Sequence, residues 1–333
     1  ELSLATVETR FMSGDLQLAG RLVMPPGKDP VSLVILVHGS EDTSARQFFS
    51  LQRQLPAAGV GAFVYDKRGT GDSQGIYTHD YHLLAADAAA AIAEARRLAG
   101  SRAGRVGMQG SSQGGWVAPL AATLTPVDFV IVAYGLAVSP MDEDREAVAL
   151  DMSRHGFGAE ETRKALEVAS AAEGLIRNGF QSGYAEVAAL RDRYSGEPWF
   201  AYLRGNITGV LLGQSEAWLR EHGPVLLNGV IPDYDPMPAL RQLKIPQLWI
   251  LGADDIDAPI GATMSRLRTL RHEGKPIDVV IYPRAEHGIL EYELDSKGER
   301  VSTRQPGTYL PLMVEFASTG RIGRRYGDAI VYR

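Results

Sequence analysis

The sequence contains no cysteine. Disulfides, thiolate metal sites and a cysteine nucleophile are therefore excluded, and the redox compartment is left open. Long apolar runs are missing too. The longest candidates are strand-sized stretches such as 31–37, far short of the roughly 20 residues with which a helix crosses a bilayer, so no membrane span is expected. Positive charge is scarce: 34 Lys and Arg stand against 40 Asp and Glu, a formal net charge of −6. Without a basic face to neutralise phosphates, nucleic acid is not an expected partner. Neither internal repeats nor low-complexity tracts occur. What is present is an ordinary globular balance, 45% hydrophobic and 22% charged over 333 residues, which suits one large domain or a domain with an insertion. The chain opens at Glu1 rather than Met, as a trimmed chain would, or a mature one freed of a signal peptide. Export is the expected localisation, with the cytoplasm as the alternative.

Hydrophobic periodicity supplies the fold class. Residues 6–12 and 16–23 alternate polar and apolar around Ser13-Gly14-Asp15, which predicts an antiparallel hairpin at a sheet edge. After Pro25-Pro26-Gly27 the unbroken apolar run 32–37 predicts a strand buried on both faces, the mark of a parallel sheet. Similar runs recur at 61–65, 105–108, 129–133, 247–251 and 277–282, mostly separated by helical patterns such as the Ala-rich 83–98. Strand and helix in alternation imply βαβ crossovers around a mostly parallel central sheet flanked by helices. From about 139 to 240 the alternation stops and helical signals dominate, for example at 159–178 and 184–191. The expected organisation is thus a core of residues 1–138 and 241–333 interrupted by a helical cap at 139–240. The cap aromatics Trp199, Phe200, Tyr202 and Trp218 are expected to be the cap's own core rather than a site. A last helix is predicted at 309–316.

The chemistry concentrates in three places. Gly110-Ser111-Ser112-Gln113-Gly114 is a G-x-S-x-G pattern between a short apolar run and a small-residue helix candidate at 115–123. That strand, turn and helix context predicts a nucleophile elbow, whose glycines relieve backbone crowding and whose serine, Ser112, stands clear of the sheet. Ser111 is the adjacent hydroxyl and the fallback. A serine hydroxyl is a weak nucleophile at neutral pH and needs a base oriented by a carboxylate. Among seven histidines only His287 sits in a loop directly after what reads as the last strand, at the sheet edge. His38, at the end of a strand, reads as a packing or loop-bracing residue, and His79, His82, His155, His222 and His272 show no partner pattern. The acid belongs after the strand 247–251, where Asp254, Asp255 and Asp257 compete. Two backbone amides should stabilise the oxyanion: Gln113, after the nucleophile, and Ser40, in the turn after 33–37, with Glu41 as the alternative.

These residues resemble the α/β-hydrolase superfamily, and more narrowly its bacterial serine esterases and peptidase-like hydrolases with helical caps. The resemblance spans about 31–287. Beside the elbow, His38-Gly39 is similar to that family's H-G turn, and Asp66-Lys67-Arg68-Gly69-Thr70-Gly71-Asp72-Ser73 to its D-x-R-G-x-G-x-S loop, a loop whose Asp66 and Arg68 the resemblance makes structural. Gly252-x-x-Asp255-x-x-x-Pro259 matches the acid-bearing loop and so selects Asp255 over Asp254. The resemblance implies a Ser112, His287, Asp255 triad with no metal and no cofactor, acting on a small-molecule acyl substrate. A carboxylic ester is expected first, with a peptidase or amidase as the alternative. A catalytically silent binding protein of the same fold is the alternative from another class. Serine in place of aspartate at the elbow argues against a dehalogenase or an epoxide hydrolase. Ser40-Glu41-Asp42 makes this loop more acidic than in many relatives; it is expected to be a solvated acidic loop, the alternative being that it repels anionic substrates or attracts a substrate amine.

Overall fold

The computed structural model describes residues 3–333, so the Glu1 start lies outside the described residues. Strands β1 (Ala5–Ser13) and β2 (Leu16–Met24) form the expected hairpin, with Ser13 opposite Leu16. β3 (Val31–Val37) follows, then two short helices, α1 (Ala45–Phe48) and α2 (Leu51–Ala57), and β4 (Gly61–Tyr65). Helix α3 (Tyr81–Ala99), capped by the Asp80 carboxylate on the amides of His82 and Leu83, leads to β5 (Ala103–Ser111). Then come α4 (Gly114–Leu124) and β6 (Phe129–Ala133). Six helices intervene before the sheet resumes: α5 (Pro140–Arg154), α6 (Ala159–Arg177), α7 (Tyr184–Tyr194), α8 (Thr208–Leu212), α9 (Glu216–Leu226) and α10 (Met237–Gln242). The chain closes with β7 (Gln247–Gly252), α11 (Gly261–His272), β8 (Ile277–Tyr282), β9 (Ala285–Glu286), β10 (Leu290–Leu294), β11 (Arg300–Ser302), α12 (Tyr309–Thr319) and β12 (Ile330–Tyr332).

The main sheet has nine strands in the order β1-β2-β4-β3-β5-β6-β7-β8-β12. From β4 to β8 every neighbouring pair is parallel, and antiparallel pairs occur at both ends. β3 shows why the apolar runs are unbroken. Leu33, Ile35 and Val37 enter the core beneath α3, α4 and α11, while Val34 and Leu36 enter the opposite core beneath α2 and α12. A strand covered on both faces has no polar side to display.

The sequence reading needs correction at two points. β8 is not the last strand of the sheet, because β12 pairs antiparallel with it. His287 therefore lies above an inner strand rather than at the sheet edge. After it the chain adds a three-stranded antiparallel arm, β9 to β11; its exposed Leu294 and Val301 gave no burial pattern from which to foresee it.

Helices α5 to α9, called the cap below, share a hydrophobic cluster separate from those of the sheet, built on Met141, Val148, Leu175, Tyr194 and the fully buried Trp199. Trp199 packs edge-on against Phe200 and beside Tyr194, and Tyr202 is exposed, stacked on His155. The carboxyl ends of β3, β5, β7 and β8 face this cap, the place where open α/β sheets bind ligands.

Candidate active site

β5 leads straight into Ser112, whose φ of 49° is left-handed, a conformation a side chain adopts only when the surroundings impose it. They do so here. The Ser112 amide donates to the Ala133 carbonyl at 3.1 Å, and Gly115 donates back to the Ser112 carbonyl at 2.7 Å as α4 begins. A Cβ on Gly110 would collide with the Gly114 carbonyl, and one on Gly114 with the Val37 carbonyl. Both glycines of the motif are thus demanded by close backbone packing.

The Ser112 hydroxyl lies 3.1 Å from His287 Nε2, and His287 Nδ1 lies 3.0 Å from the Asp255 carboxylate. Asp255 is buried, and its second oxygen accepts the amides of Asp257 at 3.0 Å and Ala258 at 2.8 Å. The turn after β7 therefore fixes the carboxylate, and the Tyr134 ring stands edge-on to the His287 imidazole at 5.0 Å. Burial opposes charge on His287, but the hydrogen bond and the charge of Asp255 outweigh it and raise its pKa above the usual value. Asp254 faces elsewhere: it accepts the Tyr292 hydroxyl at 2.8 Å and its carbonyl accepts Arg300 at 2.7 Å, pinning the β9–β11 arm. Ser111 is buried and accepts a hydrogen bond from Gln109 at 2.8 Å.

Ser40 and Gln113 both line the pocket that holds Ser112 and His287. Among the described residues neither backbone amide is engaged in a hydrogen bond. Glu41 turns back instead to His38, 3.2 Å from its Nδ1; burial depresses the His38 pKa. The D-x-R-G loop braces this region. Asp66 is fully buried and accepts from Ser44, from the Arg46 backbone and side chain, and from the Asp72 amide, while Arg68 forms a bidentate pair with Asp87.

Sequence reasoning passed over Lys67, between those two residues. Its buried ammonium donates to the Gly39 carbonyl and to the Gln113 side chain, the latter at 2.9 Å. One side chain thereby ties together the two segments that carry the free amides. Burial, partly offset by the charge of Glu41, lowers its pKa to about 7. Gln113 passes the contact on to His79 at 2.8 Å, so His79 has a partner after all. Also missed were Glu143 of α5 and Asn206, which hydrogen-bond at 3.1 Å inside the same pocket. Burial, then the charges of Asp255 and Asp144, push the Glu143 carboxyl well above the carboxylate range.

Asp255, Asp257 and His287 could offer ligand atoms within 4.8 Å of one another. Asp255 and His287 already bond each other at 3.0 Å.

Among curated proteins none matches the sequence. The family described as serine aminopeptidase, S33, matches residues 28–157. Among solved structures, a proline iminopeptidase from Mycobacterium smegmatis aligns with TM-score 0.55 at 16% identity, covering 93% of this chain and 97% of that one. A Pyrococcus furiosus esterase gives 0.53 at 14%, covering 86% and 83%. An acylaminoacyl peptidase from Pyrococcus horikoshii gives 0.50 at 16% over 86% of this chain, which spans only 38% of that longer protein. At such identities the likeness shows the fold. Together with the family match over residues 28–157, the sheet order and the strained elbow after β5, it shows that the chain has the α/β-hydrolase fold.

Proposed function

We propose that this protein is a serine hydrolase that cleaves carboxylic esters through an acyl-serine intermediate. The observation that carries the proposal is the continuous row from the Ser112 hydroxyl through both nitrogens of His287 to Asp255, at 3.1 and 3.0 Å. His287 Nε2 takes the proton as Ser112 Oγ attacks the carbonyl, and Asp255 stabilises the imidazolium and holds the tautomer. The amides of Ser40 and Gln113 receive the oxyanion. As the tetrahedral adduct collapses, His287 returns the proton to the departing alkoxide. Water then repeats the sequence on the acyl-serine, releasing the acid and restoring Ser112.

The test is turnover of p-nitrophenyl esters by wild type and Ser112→Ala. Ester cleavage that disappears in the variant is expected; full activity in Ser112→Ala would remove Ser112 from this role. One feature favours amides as a second reading. Two acidic side chains, Glu143 and Asp257, line the pocket beside Ser112, and the matching family is described as aminopeptidases. An ammonium entering there would favour the ionised form of Glu143, its proton passing to solvent, and pair with that carboxylate. Aminoacyl anilides cleaved faster than p-nitrophenyl esters of similar size would select that reading.

A further inference from the structure

The pocket around Ser112 is small, about 290 Å³, and it is not closed. It adjoins a second cavity of about 610 Å³, sharing with it Ser40, His79, Asn206, Ile207 and Leu227. This outer cavity runs between the cap and the core segment that contains Gly69 and Tyr77. Its cap wall is aliphatic: Val210 and Leu211 from α8, Val225 and Leu226 from α9. Three of these four are exposed, Val225 to 74%, although α9 has polar residues such as Glu221 to turn outward. A row of apolar side chains left wet along a channel that ends at a reactive group marks a binding surface.

The channel is preformed. Where cap and core meet, the His79 amide donates to the Asn228 carbonyl at 2.7 Å, the Asn228 side chain donates to the Tyr77 carbonyl at 2.8 Å, and the Thr78 hydroxyl donates to the Asn228 carbonyl at 3.1 Å. Gly229, with φ of 76°, passes so near Thr78 that a Cβ would strike its hydroxyl. Three hydrogen bonds and a forced glycine hold the wall in register with the pocket.

Its position also says which half of a substrate it suits. His287 lines the inner pocket and not the outer channel, whereas Ser40 lines both. Because His287 must reach the leaving oxygen to protonate it, the leaving group belongs in the inner pocket, on the His287 side. The channel touches Ser40 but not His287, so it lies away from the leaving-group side, where the acyl substituent is left to point. We infer that the channel between α8, α9 and the 69–79 segment receives the acyl chain, and that the substrate class is esters of extended, uncharged apolar acids. Asp42 on the channel wall and the net charge of −6 disfavour a chain ending in a carboxylate. The inference rests on the serine-hydrolase reading of Ser112.

Two ester series test it, each below its aggregation limit. One varies the acyl chain, p-nitrophenyl acetate, butyrate, octanoate and decanoate; the other varies the alcohol, ethyl, butyl and octyl acetate. Each methylene that leaves water in the channel is worth roughly two- to fourfold in kcat/KM, so octanoate should exceed acetate by at least tenfold while the alcohol series stays within about threefold. In Val210→Asp and Val225→Asp, changes at exposed positions, the octanoate-to-acetate ratio of kcat/KM should fall about tenfold. A flat acyl series, a gain confined to the alcohol series, or a ratio unmoved in both variants would overturn the inference and leave the hydrolase reading standing. If no ester, acetate included, is turned over, the esterase reading falls and takes the inference with it.

Discussion

The sheet and the cap solve the same packing problem differently. The sheet side of the pocket is held by buried polar groups with two or more partners each: Asp66, Asp255 and Lys67. The cap is held mainly by an apolar core of its own, with two buried carboxylates, Asp144 bonded to Ile207 and Thr208 and Glu173 bonded to Arg145 and Arg177, and exposed pairs such as Arg163 with Glu160 and Arg220 with Glu216. Surface pairs contribute little, about 0–1 kcal/mol each, so the cap's order rests chiefly on its aliphatic and aromatic packing and on those two carboxylates. A buried polar network tolerates almost no substitution, because each loss leaves a stranded group; an apolar cluster accepts many substitutions of similar volume. Under the function proposed above, the difference would separate the groups that carry the chemistry from the walls that meet the substrate.

Substitutions on the two sides should therefore differ in kind, and the largest effects sharpen the contrast. Ser112→Ala is expected to lower kcat by on the order of 10⁴-fold or more, with the thermal midpoint unchanged within a few degrees by calorimetry. Asp255→Asn should lower kcat about 10³–10⁴-fold, and Asp254→Asn less than about tenfold, since Asp254 bonds Tyr292 instead. Were only the second to collapse turnover, the acid would be misassigned. Lys67→Met should cost about 10–100-fold in kcat with little change in KM, because the side chain it removes joins Gly39 to Gln113. A purely stabilising lysine would lower the melting temperature and spare kcat.

The pH profile follows from the raised pKa of His287. The neutral imidazole is the base, so kcat/KM should fall as pH drops through that pKa, placing the acid limb above the ordinary histidine value of 6.5. In Asp255→Asn, without the carboxylate that raises it, the limb should move to lower pH. An acid limb at or below 6.5 in wild type would contradict the Asp255 pairing. The smallest effect on turnover belongs to the cap: Trp199→Ala should destabilise it by about 3–5 kcal/mol, seen as an early unfolding phase or increased proteolysis near α7, while short-ester kcat stays within about tenfold. A loss comparable to that of Ser112→Ala would break the division between the two regions.

Much of the sheet was legible because parallel strands announce themselves as short unbroken apolar runs, as 129–133 and 277–282 do. The elbow was legible for a different reason: Gly110 and Gly114 are fixed by backbone crowding that leaves a mark in the sequence. The rest lies in contacts between residues far apart in the chain. Lys67 reaches Gln113, and Glu143 reaches Asn206 across 63 positions. No local pattern separates such a lysine or glutamate from one on a solvated face. The β9–β11 arm and β12 escaped because they are short and exposed, with no buried face to impose a period.

The contact of Gly114 with the Val37 carbonyl has a bearing on how this protein could acquire new substrates. It joins the start of α4 to the end of β3, so the elbow and the loop that carries Ser40 cannot slide past each other. Neither can be retuned by a mutation that leaves the other in place. Lineages descending from this sequence would keep that joint as an inherited constant and diversify through α8 and α9, where wet valines can be exchanged at little cost.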